Sequence, residues 1–177
     1  MFSAAIIFVA AQFSPFIVVD RADPITDERQ LAIVTVADDN MLAIGCSEVG
    51  EGQIFIRFIP ERYYGPGPDG IIWEPNLIYR FGREQPEKTE WYFSEDYIEL
   101  GFLWSPNKAK AEFLHALSQN DRLVLRYEAR QGDQETLVIN YQLNNEQLSG
   151  IIRKCQPKRV TQYLEEWKSP ALVPAAS

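Results

Sequence analysis

Residues 31–47 read LAIVTVADDNMLAIGCS, and this stretch decides the fold that the sequence predicts. Leu31 to Val36 is an apolar run rich in β-branched residues, which is typical of a strand. The polar cluster at 38–40 ends that strand in a turn, and a second strand follows at 41–47. Residues 53–59, QIFIRFI, supply a third apolar run. Three such runs joined by short polar turns predict an antiparallel meander.

The second half of the chain adds helices and a further hairpin. Ser105-Pro106 predicts a helix start, because serine suits the N-cap and proline the first helical position. Strict apolar alternation on both sides of a glycine turn predicts a hairpin over 123–143. After Asn144-Asn145, apolar residues recur at helical spacing, and Pro157 starts a second short helix. The sequence therefore predicts a mainly β protein: an antiparallel β-sandwich with one inserted α-helix and one or two short C-terminal helices.

The chain divides into three parts on its sequence pattern. Residues 1–25 form an apolar N-terminal segment, which is either a degenerate signal peptide or a buried first strand at 16–19. The small residues Val9 and Ala11 suit signal-peptide cleavage, but no basic residue precedes the apolar run. Residues 26–168 are predicted to form a single β-rich domain, and residues 169–177 a frayed tail.

The charge of the chain excludes one class of partner. A net charge of −8 and a pI near 4.7 oppose binding to nucleic acid, which requires Lys and Arg to displace counterions from phosphate. One short basic cluster interrupts this pattern, and it is either a solvated helix face or a docking patch for an acidic partner. It consists of Arg153, Lys154, Lys158 and Arg159.

The two cysteines, Cys46 and Cys155, are predicted to form a disulfide bond. Each falls on a core-facing position, Cys46 with Leu42 and Ile44 on a strand and Cys155 on the C-terminal helical stripe. A bond between them closes a loop of about 110 residues, which the chain-entropy model values at roughly 4–5 kcal/mol. Together with the apolar N-terminus this predicts a periplasmic or secreted protein. The alternative is a cytoplasmic protein with two buried free thiols.

No pattern in the sequence predicts catalysis, a metal site or a cofactor. His115, the single histidine, lies on the first predicted helix, where the rim of an amphipathic helix explains it, and no G-x-S-x-G motif is present. Phosphate-binding glycine motifs are also absent. The carboxylates around the 91–103 hairpin have the distribution of surface charge, so an enzyme, such as a hydrolase, is the least favoured interpretation. They are Glu87, Glu90, Glu95, Asp96 and Glu99.

Aromatic residues supply the candidate binding surface. Tyr63 and Tyr64 precede the glycine-proline loop and Trp73 follows it, so the three predict an exposed platform for a glycan or a protein partner. The alternative is that the aromatic residues of this part of the chain pack inside or rim the sheet. It applies to Trp73, Trp91, Tyr92 and Trp104.

The order of segments resembles two groups of small exported bacterial envelope proteins, the type VI secretion-associated TagO/VasI group and the invasion-associated locus B group. The resemblance covers about residues 30–155 and lies in a pattern of spacings. It runs through LAIGCSEVG, QIFIRF, LIYRFG, WYFS and YQLNNEQLSGIIRKC. It implies a periplasmic β-sandwich with one disulfide and no known enzymatic machinery. The expected function is a non-catalytic envelope protein that binds another envelope or secretion-system protein, as an accessory to secretion or host interaction. A carbohydrate- or ligand-binding module is the alternative.

Overall fold

In the computed structural model, the chain forms two β-sheets and two main helices around a shared apolar core. The structure describes residues 13–22, 29–47, 53–61, 77–89, 91–93, 97–100, 106–128, 134–155, 161–162 and 164–165. Most of the glycine-proline loop and the tail predicted at 169–177 lie outside these ranges.

One sheet has six strands, and every neighbouring pair in it is antiparallel. The predicted meander at 31–59 is confirmed as its centre, since β3, β4 and β5 are adjacent and in chain order. In spatial order the strands are β2 (Ile17–Ala22), β3 (Arg29–Ala37), β4 (Asn40–Ser47), β5 (Ile54–Ile59), β9 (Ile98–Leu100) and β8 (Trp91–Phe93).

The turn between β3 and β4 contains only Asp38 and Asp39. Both residues have positive φ angles, 48° and 60°, and the flanking Ala37 and Asn40 face each other across the ladder. Two residues with positive φ give the turn a twist that matches the right-handed twist of the strands. The Asn40 side chain donates a 2.7 Å hydrogen bond to the carbonyl of Asp38, which stabilises this conformation.

The other sheet has five strands. The predicted hairpin over 123–143 is confirmed as β10 and β11, which pair antiparallel along seven residues of each strand. β1 pairs parallel with β11, whereas the remaining pairs are antiparallel. In spatial order the strands are β1 (Ser14–Pro15), β11 (Gln134–Gln142), β10 (Arg122–Glu128), β6 (Ile78–Phe81) and β7 (Glu87–Lys88).

The chain passes from one sheet to the other between β1 and β2. The Thr35 hydroxyl donates a 3.2 Å hydrogen bond to the carbonyl of Ser14, and Phe16 is buried with its ring edge-on to Tyr141. Both strands fall within the 1–25 segment that the sequence set apart. The buried first strand expected at 16–19 is therefore correct for Phe16 but wrong for 17–19, which are exposed because β2 is an outermost strand.

The helices begin where the sequence predicts. α1 spans Pro106–Gln119, and α2 spans Asn145–Cys155 with Asn144 as its cap, since the Asn144 Oδ1 accepts a 2.8 Å hydrogen bond from the Glu146 amide. Residues 161–162 and 164–165 are also helical, in the region of the predicted second C-terminal helix. Neither α1 nor α2, within the described part of the chain, is long and apolar enough to cross a membrane.

The core lies between the sheets and is rich in aromatic side chains. Phe58 of the six-stranded sheet packs edge-on against Tyr127 of the five-stranded sheet at 5.7 Å between ring centroids. Phe113 of α1 contacts Tyr79 and Trp91. For Trp91, which is 2% exposed, the interpretation that the aromatic packs inside is confirmed.

Candidate functional site

The predicted disulfide bond between Cys46 and Cys155 is present. Its Cα atoms are 5.8 Å apart and the cysteines are separated by 109 positions in the chain. Cys46 lies near the end of β4 on the core side, and Cys155 is the last residue of α2. The bond therefore attaches α2 to the six-stranded sheet, and it fits an oxidising compartment.

The aromatic platform predicted at Tyr63, Tyr64 and Trp73 lies outside the described residues. The basic residues Lys158 and Arg159 lie outside them as well. The candidate site is therefore built from residues outside that platform.

The six-stranded sheet is apolar on the side that faces away from the core. Ala32, Val34 and Ala43 form a cluster separate from the core, and Met41 and Phe55 pack against it. The cross-strand register places their neighbours on the same side, since directly opposite residues share a face. We call this surface the outer face. Its apolar residues are Ile17, Val19, Ala32, Val34, Val36, Met41, Ala43, Phe55 and Ile59, and the same register places Gly45, Arg21, Gln30, Ser47 and Arg57 on this face.

The outer face has a floor of small residues and a rim of large ones. Gly45 belongs to the floor beside Ala32, and a Cβ atom there would collide with the β3 backbone. At the rim, Ile17 is 55% exposed and Val36 is 50% exposed. The floor residues Ala32, Val34 and Ala43 are each only 8% exposed, so the exposed apolar side chains of this face are those at its rim. Exposed apolar patches with polar neighbours mark interaction sites. The run LAIVTV carries the sequence signal for this second apolar face. A strand with one apolar face alternates apolar and polar residues, whereas this run is almost continuously apolar.

A stacked arginine, Arg57 of β5, lies on the outer face opposite Ala43. The Arg57 guanidinium lies 4.3 Å from the ring centroid of Phe55 and 4.1 Å from that of Tyr97. Its Nε also donates a 2.9 Å hydrogen bond to a carboxylate oxygen of Glu99. The rings and the carboxylate together hold Arg57 in one orientation at the margin of the apolar surface.

Glu99 is buried, so its assignment to surface charge was wrong. It is 6% exposed, and its second carboxylate oxygen lies 3.5 Å from the ammonium of Lys110, which is 5% exposed. Lys110 also donates a 2.9 Å hydrogen bond to the carbonyl of Ile54. Burial lowers the pKa of Lys110, while the charge of Glu99 opposes that shift. One buried carboxylate is thus held by two cations, and this cluster joins α1 to the sheet.

A cavity of about 440 Å³ lies beside α1, with His115 in its wall. Glu84, Glu87 and Glu112 share this wall, and Tyr79 lies at its base. The Tyr79 hydroxyl donates a 3.0 Å hydrogen bond to Glu87 and accepts one from Thr89. Burial raises the pKa of Tyr79 above its ordinary value near 10.

The cavity is lined mainly by acidic and polar side chains. Three carboxylates repel an anionic ligand, and the Ser118 hydroxyl donates to the backbone carbonyl of His115 at 2.7 Å. Within the described ranges, no three His, Cys, Asp or Glu side chains are placed to hold a metal ion. The interpretation of His115 as a residue at the rim of the helix agrees with its half-buried position.

Comparison with known proteins returned no match to a protein-family model, a curated protein or a solved structure. The structure itself therefore defines the class. It is a mainly β, sandwich-like protein, and its described residues form two sheets, the helices α1 and α2, and the Cys46–Cys155 disulfide bond.

Proposed function

We propose that this chain is a non-catalytic protein of the periplasm or the extracellular space, and that it binds another protein through the outer face. The observation that carries the proposal is the apolar side of the six-stranded sheet, with large side chains exposed at its rim. Ile17, Val19 and Val36 are each more than a third exposed. α2 packs on the other side of β3 and β4, since its buried apolar residues belong to the core cluster that contains Leu31 and Ile33 and not to the cluster of Ala32, Val34 and Ala43.

The energetics favour a partner on this surface. Fully burying a Val or Ile side chain contributes roughly 1.5–3 kcal/mol, so covering three half-exposed ones contributes about 3 kcal/mol together. Arg57 lies beside these apolar residues with its guanidinium stacked on Phe55. Arginine is enriched among the hot-spot residues that supply most of the binding energy of an interface. The arrangement of an apolar centre beside a polar margin is that of a protein interface.

The location rests on the disulfide bond, and the biological role rests on the resemblance of spacings. Structural disulfides persist in oxidising compartments such as the periplasm and the cell exterior. The spacings from LAIGCSEVG to IIRKC resemble those of exported envelope proteins. On this resemblance we propose an accessory role in secretion or host interaction.

A matched pair of variants tests the binding surface. Val36→Lys puts a charge on the outer face, whereas Ile78→Lys puts the same charge at an exposed apolar position of the other sheet. In affinity capture from envelope extract, we expect one specific protein to be retained by the wild type and by Ile78→Lys, and to be lost with Val36→Lys. Equal capture by both variants, or no specific capture by the wild type, would contradict the proposal.

A further inference from the structure

β2 is the longest of the four outermost strands of the described sheets. It has six residues, whereas β1 and β7 have two each and β8 has three. Short edge strands are one of the ways in which proteins prevent pairing with other chains. All six residues of β2 are exposed, and among the described strands it pairs only with β3. Of these four edges, β2 is therefore the one best able to accept a further strand.

The turn between β3 and β4 shows which backbone groups of β2 point outward. Ala37 and Asn40 flank this two-residue turn, so they form a hydrogen-bonded pair, and such pairs recur at every second residue. Odd-numbered residues of β3 therefore bond to β4, and even-numbered residues bond to β2, beginning with Val34 opposite Ile17. The even-numbered residues of β2, of which Val18 is the first, consequently point their N–H and C=O groups to the outer edge.

The first half of β2 is apolar on both of its sides. Ile17 and Val19 lie on the outer face and are 55% and 37% exposed, and Val18, on the opposite side, is 52% exposed. The charged residues of the strand come after these three. The edge at Val18 thus offers backbone donors and acceptors between exposed aliphatic side chains, which is the surface that strand addition uses.

We infer that two copies of this chain pair through β2, antiparallel, with the two-fold axis at Val18. Directly opposite residues share a face, so Val18 meets its own copy and Ile17 meets Val19 on both sides of the axis. Every pair next to the axis is therefore apolar. The two six-stranded sheets join into one, and their outer faces become continuous. The inference goes beyond the proposed function, because this pairing needs no other protein.

The other two registers that join the outward-pointing backbone groups fit less well. Pairing centred on Val19 places the Asp20 carboxylate opposite Val18. Pairing centred on Asp20 places that carboxylate opposite its own copy, and like charges directly opposite each other are destabilising. Only the register centred on Val18 keeps charged side chains away from the axis.

The net charge of −8 opposes this register only weakly. Asp20 lies 2.6 Å from the Arg29 guanidinium and 3.9 Å from the Lys154 ammonium. Each Asp20 faces Phe16 of the second copy, so the two carboxylates are about 14 Å apart along the strands. The Debye length is about 8 Å at physiological ionic strength, so this repulsion is largely screened. Three more acidic residues follow the end of β2 that is remote from the axis, namely Asp23, Asp27 and Glu28.

Single cysteine substitutions in the full chain test the register. Cys46 and Cys155 are bonded to each other, so an introduced thiol has no free cysteine to pair with in its own chain. Residues of a hydrogen-bonded antiparallel pair have Cα atoms about 5.5 Å apart, which suits a disulfide bond. We expect Val18→Cys to form a covalent dimer on mild oxidation. Ala22→Cys is the control on the same edge, because in this register Ala22 is about 27 Å from its own copy.

Sedimentation velocity at rising protein concentration tests pairing without a cross-link. The paired segment is short, so we expect a weak, reversible dimer that strengthens with added salt. Val18→Lys brings two ammonium groups together at the axis and should weaken dimerisation at least tenfold. Ile78→Lys puts the same charge at an exposed apolar position of the other sheet and should leave dimerisation unchanged. In hydrogen exchange, the dimer should protect the Val18 amide and leave that of Ala22 unprotected.

Three results would overturn the inference. They are a wild type that stays monomeric at every concentration, an equal yield of covalent dimer from Val18→Cys and Ala22→Cys, and a dimer that Val18→Lys does not weaken. The cross-linking result does not depend on whether Val18→Lys folds. Equal protection of the Val18 and Ala22 amides would refute the register.

The two proposals fail in different ways. If the wild type is monomeric but captures a specific partner that Val36→Lys releases, the outer face is the binding surface and only the dimer inference fails. If the dimer forms with its axis at Val18 but envelope extract yields no specific partner, the dimer stands and the proposed function fails.

Discussion

The ammonium of Lys110 on α1 lies 2.9 Å from the carbonyl oxygen of Ile54 on β5. In the described residues, β9 pairs with β5 through Glu99 and Ile98, which lie opposite Arg57 and Phe58. The carbonyl of Ile54 lies beyond this paired region, and the lysine supplies a donor for it. The same ammonium approaches Glu99, so one side chain links a helix, a strand and a buried carboxylate.

Replacing Glu99 should be more costly than replacing Lys110. Glu99→Gln leaves two cations without their shared counter-charge, and we expect a loss of about 3 kcal/mol in the free energy of unfolding. Lys110→Met removes a buried charge together with the hydrogen bonds to the Ile54 carbonyl and to Glu99, so we expect a loss of about 2 kcal/mol. Urea denaturation measures both. Glu112→Gln, from an exposed ion pair with Lys108, is the control and should change stability by less than about 0.5 kcal/mol.

The disulfide bond should contribute a large part of the stability. It connects positions separated by 109 residues, and the chain-entropy model assigns a loop of this length about 4.7 kcal/mol. We expect the Cys46→Ala/Cys155→Ala protein to lose about 4 kcal/mol in urea denaturation. Reductant should lower the denaturation midpoint of the wild type and leave that of the double variant unchanged, and an effect on both would contradict this assignment.

The two-residue turn between β3 and β4 offers a stabilising substitution. Asp39 has a φ of 60°, a conformation that costs a side-chain-bearing residue about 1 kcal/mol more than glycine. Asp39→Gly should therefore raise the free energy of unfolding by about 0.5 kcal/mol after the added flexibility of the unfolded chain is included. Thermal unfolding of the variant and the wild type at one pH measures the difference, and a lower melting temperature would count against this account.

The opposite substitution should be harmful at Gly82. Its φ is 50°, and a Cβ atom there would lie 2.8 Å from the Asn120 side-chain oxygen. The Gly82 amide also donates a 2.8 Å hydrogen bond to the carbonyl of Arg122, which holds the turn in place. We expect Gly82→Ala to cost about 1–2 kcal/mol in chemical denaturation. Gly150 is the control, because a Cβ atom there would meet no described atom within 4 Å, and Gly150→Ala should not destabilise α2.

Buried tyrosines should make the fold sensitive to alkali. Burial raises the pKa of Tyr141, whose hydroxyl donates a 2.9 Å hydrogen bond to the carbonyl of Leu117. The folded protein therefore holds this proton above pH 10, where the unfolded chain releases it. The protonated Tyr141 therefore contributes its full share to the free energy of unfolding below about pH 10, and this contribution decreases as the pH rises further.

Tyr141→Phe isolates this effect. We expect the variant to lose about 1 kcal/mol at pH 7, because the Leu117 carbonyl loses its donor, and then to lose less stability than the wild type between pH 10 and 11. Lys110, whose pKa is shifted downward, is common to both proteins and so does not affect the comparison. Parallel stability curves for the two proteins across this range would refute the account.

Local physics explains what the sequence analysis located correctly. Period-two alternation marked β10 and β11, Ser105-Pro106 marked the start of α1, and Asn144 marked the cap of α2. Each of these signals depends on residues close together in the chain. The core-facing positions of Cys46 and Cys155 were found in the same way, and their pairing was confirmed.

Sequence by itself thus determined the mainly β class, the main elements and the bonded cysteines, because alternation, capping and turn chemistry act over a few residues. Only the tertiary structure decided which apolar side of the six-stranded sheet faces the core, that β2 is outermost among its described strands, and that Glu99 and Lys110 are buried together. Those outcomes depend on which distant segments pack against each other. A strand that is apolar on both sides looks the same in sequence whether its second side is covered or exposed.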